Sequence, residues 1–278
     1  MILNIRDRIK RNFTKDDFYP YIPYFLFSLF LIYWLRFLFT IEVINSADLN
    51  YHILHAIKHK DIWYKSLYSY YNIDSFTGWP TLHFYGFLPY LITVFLSYLF
   101  DLFSDNSVRI ATHTIIIIGL SSLIFSLNYA VRPLINNYII DTQKKYKLLI
   151  SLISSFSLCF FCFWFLNKNG AKYGVGSDVI IAKGLYTQLF GWHLLLIYLG
   201  LLLRLLYDKK NKYFKYIAII ISLAILTHLI TATFIIAVTL FYSLINKNRL
   251  FLLKSVILGL FLSSFWLVPF LLLIGDFA

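Results

Sequence analysis

The sequence predicts an all-α, polytopic membrane helical bundle with about seven transmembrane helices and a partly embedded segment in the first external loop. Composition is the first reason. Of the 278 residues 60% are hydrophobic and only 14% charged, with a mean hydropathy of +0.72. Soluble domains carry far more charge. Block structure is the second. Stretches such as 148–166 are apolar in blocks and free of charge, and about 20 such residues cross a bilayer as a helix. Lipid cannot hydrogen-bond free backbone groups, so these blocks must form helices or a closed barrel. Barrel strands alternate apolar and polar residues with period two, which these blocks do not. The third reason is that lysine and arginine gather in particular connections.

The segment 21–43 follows a basic stretch with Arg6, Arg8, Lys10, Arg11 and Lys15 and no small-residue cleavage site. It reads as an uncleaved signal anchor. Spans over 109–130, 147–166 and 186–207 follow. The stretch 214–245 is too long for one crossing and divides at Thr227-His228 into 214–229 and 230–245. The last span is 250–273. A weaker candidate, 82–100, decides the topology. Were it a full crossing, Lys144, Lys145 and Lys147 would lie outside, against the positive-inside rule. Left at the interface, it puts them inside with Lys209, Lys210, Lys212 and Lys215 and with Lys247, Arg249 and Lys254. Pro80, Pro89 and their aromatic neighbours suit an interfacial element. The expected topology is therefore a cytoplasmic N-terminus and an external C-terminus, in an integral protein of the plasma membrane.

This sorting accounts for the formal charge of +12 without a nucleic-acid partner. Cys159 and Cys162, spaced C-x-x-C within an apolar block, read as packing residues. The chain 1–278 is expected to be a single transmembrane module. Its first external loop covers about 43–108 and its second about 167–185.

Polar chemistry concentrates in those loops. The first contains Glu42, the chain's only glutamate, then Asp48 and His52. An acid just past the first span can serve as a base toward an acceptor hydroxyl or as a metal ligand, or can simply cap a helix. Asp48, His52, His55 and His59 fall on one helical face. Such a row spans about 16 Å, so at most two or three of its members converge on one ion. A divalent cation stays open as a cofactor, and no residue is assigned as a metal ligand. The second external loop holds three glycines before Asp178, with Lys168, Lys172 and Lys183 around them. Flexible and basic, it suits a phosphate-bearing substrate, and a solvated loop is the alternative. His228 sits at the expected hairpin turn between Thr227 and Thr231, as a phosphate donor or as a cap. Arg36, in the outer half of the first span, pairs with an external acid or lipid phosphate, or else snorkels.

Four stretches together resemble the GT-C superfamily of polytopic glycosyltransferases, which use polyprenyl-phosphate-linked sugars. They are similar above all to its membrane proteins labelled pyruvoyl-tetrahydropterin-synthase-related. These are Asp48 with His52, the run Gly78-Trp79-Pro80 through Tyr85 to Tyr90, Thr227-His228, and Phe265-Trp266-Leu267-Val268-Pro269. The resemblance implies a catalytic acid in the first external loop, beside partly embedded helices, and a second acid in the second loop. Asp48, His52 and Asp178 take the catalytic roles, and Lys172, Lys183, His228, Arg36 and Tyr85 the substrate-binding ones. The partners would be membrane lipids and a polyprenyl-phosphate-linked sugar. The chain departs from the family in length, in having one acid at Asp48 where relatives carry a pair, and in having Gln188 where relatives often have glutamate. A non-catalytic subunit or scaffold of a cell-envelope glycan pathway is the second reading. A transporter is the third, because the spans show few midplane charges and no repeats.

Overall fold

The computed structural model describes residues 19–40, 48–62, 86–141, 146–167, 176–181, 186–208, 213–245 and 249–274. Among these, every regular element is helical. Helix α1 (Ile22–Leu35) is entered by the 3-10 turn Tyr19–Tyr21 and prolonged by a second, Arg36–Phe39. There follow α2 (Leu49–Ile62), α3 (Leu88–Phe100), α4 (Ser107–Asp141), α5 (Lys147–Leu166) and the short α6 (Ser177–Ile181). The second half comprises α7 (Tyr186–Asp208), α8 (Tyr213–Thr227), α9 (Leu229–Ile245), α10 (Arg249–Leu262) and α11 (Ser264–Ile274).

Four segments are long and apolar enough to cross a membrane: Tyr19–Phe39, Ser107–Ile135, Leu148–Leu166 and Tyr186–Tyr207. A fifth is formed if the bent pair α10 and α11 makes one span. The chain is thus an integral membrane protein with four to five candidate spanning helices among its described residues. The helices α3, α8 and α9 are apolar but shorter. At 13 residues, α3 reaches only about 20 Å, too short to cross a hydrocarbon core of about 30 Å. The expected straight span 250–273 is instead broken at Ser263 by a 72° bend. Ser263 and Ser264 sit side by side there, and the Ser263 hydroxyl returns to the Gly259 carbonyl at 3.0 Å. Serine pairs and back-bonding hydroxyls are ordinary causes of such bends.

Interhelical bonds set the directions of the helices. The Ser28 hydroxyl donates to the Ser121 carbonyl (2.7 Å) and Tyr24 to the Asn128 side chain (3.2 Å), so α1 and α4 are antiparallel. The Ser155 hydroxyl meets the Pro20 carbonyl, and Phe163 packs on Phe30 and Trp34, so α5 runs with α1. His193 binds Gly119 and Ser126 while Arg204 binds Tyr129, so α7 runs with α4. Gly191 abuts Thr231, and the Tyr198 and Thr239 hydroxyls bond at 2.8 Å, so α9 runs with α7. The Ser255 hydroxyl meets the Phe214 carbonyl and Gly259 abuts Ile221, so α8 and α10 run together. The stretch 214–245 therefore folds as an antiparallel hairpin that turns at His228, as expected. Arg132, Arg204, Lys215 and Lys254 come to one end of the bundle, and α2 and the start of α7 to the other.

The α4–α7 seam is the centre of this arrangement. Proline has no backbone N–H, so Pro133 inside α4 leaves the Tyr129 carbonyl without its helical donor. Arg204 supplies the replacement, its Nη1 donating to that carbonyl at 3.0 Å and to Gly200 at 2.8 Å, with its guanidinium over the Tyr129 ring at 3.8 Å. Gly200 makes the approach feasible, because a Cβ there would stand 2.7 Å from the Tyr129 carbonyl oxygen. Higher up, a Cβ on Gly119 would strike Leu189 at 2.4 Å. Small residues at such contacts let helices pack where lipid offers no hydrophobic drive. On either side of the seam lie two apolar cores. One joins α1, α4 and α5 with Leu49 of α2 and Tyr90 of α3, and the other joins α8, α9, α10 and α11. Helix α7 contributes to both, with Tyr186 and Leu189 to the first and Tyr198 to Leu205 to the second.

Replacing Arg204 by Met should cost about 1–3 kcal/mol, the penalty for an unpaired buried carbonyl. In a Pro133→Ala background the restored N–H should cut that cost. Unfolding titrations of the four chains in detergent measure the difference, and equal costs in both backgrounds would refute the link.

Candidate functional site

Helix α2 carries the predicted histidines, with the predicted acid at its entry, and docks at the end of the bundle opposite Arg132, Arg204, Lys215 and Lys254. Asp48 directly precedes it, and its carbonyl accepts the His52 amide at 2.9 Å. The carboxylate residue thus stands at the helix entry, half-buried. One turn on, His52 is 1% exposed. Its Nδ1 hydrogen-bonds the Tyr90 hydroxyl of α3 at 2.6 Å, and its ring packs edge-on against Tyr186 of α7 at 5.0 Å. His55 lies 6.1 Å from the same Tyr90 ring, and His59 stacks on it at 5.4 Å with planes 10° apart. One phenol therefore collects three imidazoles spaced i, i+3 and i+7, the face expected from the sequence.

Burial sets the charge state of this cluster. It is the main cause holding His52, His55 and His59 at a pKa of about 4, with neighbouring His55 or Lys58 adding repulsion. All three are neutral at pH 7. His55 Nε2 is enclosed without a hydrogen-bond partner among the described residues. No group of three His, Cys, Asp or Glu residues among them could hold a metal ion. The imidazoles are spent on tyrosines. At the far end of α2, Lys60 pairs with Asp101 and donates to Ser107, which holds the exposed Asp101 carboxyl below its ordinary range.

His228 belongs to the same end of the bundle. A Cβ at Gly191 would lie 3.2 Å from its Nδ1, and Gly191 stands about 7.5 Å along α7 from Tyr186. The histidine caps α9: its Nδ1 accepts the Thr231 amide at 3.3 Å and bonds the Thr231 hydroxyl at 2.8 Å. A nitrogen that accepts an amide carries no proton, so in the neutral ring the proton sits on Nε2. The cap role weighed for His228 from the sequence is thus in place, in a position normally held by Ser, Thr, Asp or Asn.

Arg36 is engaged elsewhere. Its guanidinium bonds the Tyr33 carbonyl at 2.7 Å and covers the Tyr33 ring at 3.7 Å, on the exposed side of α1. Asp178 lies on α6, whose Ile180 joins the apolar core of Leu49 and Tyr186. Glu42, Tyr85, Lys168, Lys172 and Lys183 lie outside the described residues. Cys159 and Cys162 are buried free thiols, consistent with packing.

Sequence reasoning passed over two features. Tyr90 and Tyr186 organise the histidines but are inconspicuous in a chain with 20% aromatic residues. His193, by contrast, was legible as an ionisable group within a span. Its Nε2 must donate to the Gly119 carbonyl (2.9 Å), so its Nδ1 accepts the Ser126 hydroxyl (2.7 Å). It lines one wall of a 490 Å³ apolar cavity between α3, α4 and α7, with Ile92, Ile115, Leu189 and Phe190. Phe190 touches Tyr186, their rings 6.3 Å apart, so the cavity begins one turn below the histidine cluster.

No known protein family model matches the chain, and no curated protein or solved structure is similar to it.

The Ser126–His193 bond should register in a double-mutant cycle. Ser126→Ala and His193→Ala should couple by about 0.6 kcal/mol, with an upper range near 1.7, as hydrogen bonds between membrane helices do. Additive losses in a detergent unfolding assay would contradict the bond.

Proposed function

We propose that the chain is a membrane glycosyltransferase-like enzyme that transfers a sugar from a polyprenyl-phosphate donor at the non-cytoplasmic face of the plasma membrane. In this reading seven segments cross the bilayer, α3 lies partly embedded on the outside, the N-terminus is cytoplasmic and the C-terminus is external. The resemblance in the sequence motivates the proposal, and one observation carries it furthest. The helix that begins at Asp48 is fastened through His52, Tyr90 and Tyr186 to the start of α7, one turn above an apolar cavity of 490 Å³ that opens between helices. An isoprenoid tail has the chemistry of that cavity. An acid above it would meet the phosphate end of the lipid.

Asp48 then acts as base toward the acceptor hydroxyl. His52, neutral at pH 7, orients it from one turn further along. Asp178 is the second acid, and Lys172, Lys183 and His228, with Arg36 and Tyr85, are assigned to the donor phosphate and lipid. Charge-assisted bonds to that phosphate would stabilise it as a leaving group.

A second reading, a non-catalytic subunit or scaffold of a cell-envelope glycan pathway, is favoured by the enclosure of the histidines. All three sit at or below 8% exposure and face tyrosines of the same chain, as packing residues do.

An assay with polyprenyl-phosphate-linked hexoses and membranes containing the protein separates the two readings. The transferase reading predicts turnover that falls by about 10²–10⁴ in Asp48→Asn, the usual contribution of a general base, with unchanged thermal stability. Undiminished transfer by that variant removes Asp48 from the mechanism, and absence of transfer by the parent chain across the donor set favours the scaffold.

A further inference from the structure

Helix α2 buries an unusual face. Among its described residues five are enclosed, Leu49, His52, His55, Ala56 and His59, and three of them are imidazoles. Leu54 and Ile57, both at least 40% exposed, point the other way. A helix that docks on an apolar bundle ordinarily turns its aliphatic side inward. Here the adhesive face is the titratable one.

The described groups around these imidazoles are phenols, hydroxyls and cations, with one acid, Asp48, half-buried one turn before His52 at the helix entry. From α3 comes Tyr90, and from α7 Tyr186. On α2 itself Tyr51 packs against His55 at 4.0 Å, and Lys58 repels it. Helix α4 meets α2 at Ser107, which accepts from Lys60, with Arg109 and His113 in its next turns. The acid at the far end, Asp101 at the foot of α3, is held by Lys60.

We propose that α2 is a proton-released latch, held on α3 and α7 by neutral imidazoles and undocked when they are protonated, with the Lys60–Asp101 pair as its hinge. A cation created at His52, His55 or His59 would sit desolvated among rings and beside another imidazole, and water outside the bundle would solvate it far better. The sign follows from linkage. Docking lowers each histidine from 6.5 to about 4, so its stabilisation is full above about pH 6.5 and drains away as pH falls toward 4. Asp101, held below the usual carboxylate range by Lys60, stays charged across that window and keeps the C-terminal end of α2 in place. Release would carry Asp48 and His52 away from the start of α7. The latch itself does not depend on the transferase reading, and its test needs no substrate.

Hydrogen exchange of the full chain in lipid nanodiscs, followed by mass spectrometry and corrected for the intrinsic pH dependence of exchange, tests it. The 49–62 segment should lose at least tenfold of its protection between pH 7.5 and pH 4.5, with a slope above one proton, while α8 and α10 keep theirs. A chain with His52→Gln, His55→Gln and His59→Gln should lose the pH dependence. If that chain does not assemble, His55→Gln alone should lower the slope. Unchanged protection of 49–62 at pH 4.5, or the same acid response in the substituted chains, overturns the latch.

Discussion

The Tyr129 carbonyl is the point on which the rest of the bundle depends. Pro133 frees it within the longest helix, and a carbonyl with no donor inside a membrane protein is costly. Arg204 takes it up from the neighbouring helix, and Gly200 clears the path. This fixes α7 beside α4 in parallel register. The same register then aligns His193 with Gly119 and Ser126 and brings Leu189 into the notch over Gly119. A shift of one turn would strand the Arg204 guanidinium and three hydrogen-bonding groups at once. The polar contacts therefore select a single arrangement from helices whose apolar faces would pack in several.

That register reaches the α2 end of the bundle through α7. Its first turn presents Tyr186 to His52, and Gly191 receives the capped turn at His228. Helix α2 has no membrane-spanning part to hold it, and so it depends on what α3 and α7 offer. Tyr90 is the main contact. Its ring and hydroxyl take up three imidazoles, and α3 is placed in turn by its packing on α4. Gly86, just before α3, lies against the backbone of Leu226 and Thr227, where a Cβ would stand 2.5 Å from main-chain atoms. The two halves of the molecule meet there without room for a side chain. The candidate site is thus assembled from elements far apart in the chain.

Much of this was legible in the sequence because membrane helices obey few rules. Length and apolarity located the long spans. The division at Thr227-His228 followed from a run too long for one crossing, and the face shared by Asp48, His52, His55 and His59 followed from helical spacing. What escaped has physical reasons. The 72° bend at Ser263 interrupts a run whose hydropathy never falters, and two serines are a faint signal within it. The inward turn of the histidine face cannot be read from spacing, which says that residues share a face but not what that face meets. Tyr90 and Tyr186 look like any other aromatic residues until the partner helices are placed. Arg204 proves to be the partner of a carbonyl exposed by a proline 71 positions earlier. That pairing had a signal on one side only: an arginine within the span 186–207 demands an acceptor, whereas Pro133 lies beyond the expected span 109–130.

Oxidative cross-linking in native membranes tests the parallel α4–α7 register most directly. With Cys159 and Cys162 replaced by Ala, the pair Ser126→Cys and His193→Cys should link rapidly, because the parent side chains touch at 2.7 Å. The pair Phe125→Cys and His193→Cys should not, because Phe125 packs toward Tyr24 of α1. Rapid linking of the second pair, or none of the first, would contradict the register from which the candidate site is built.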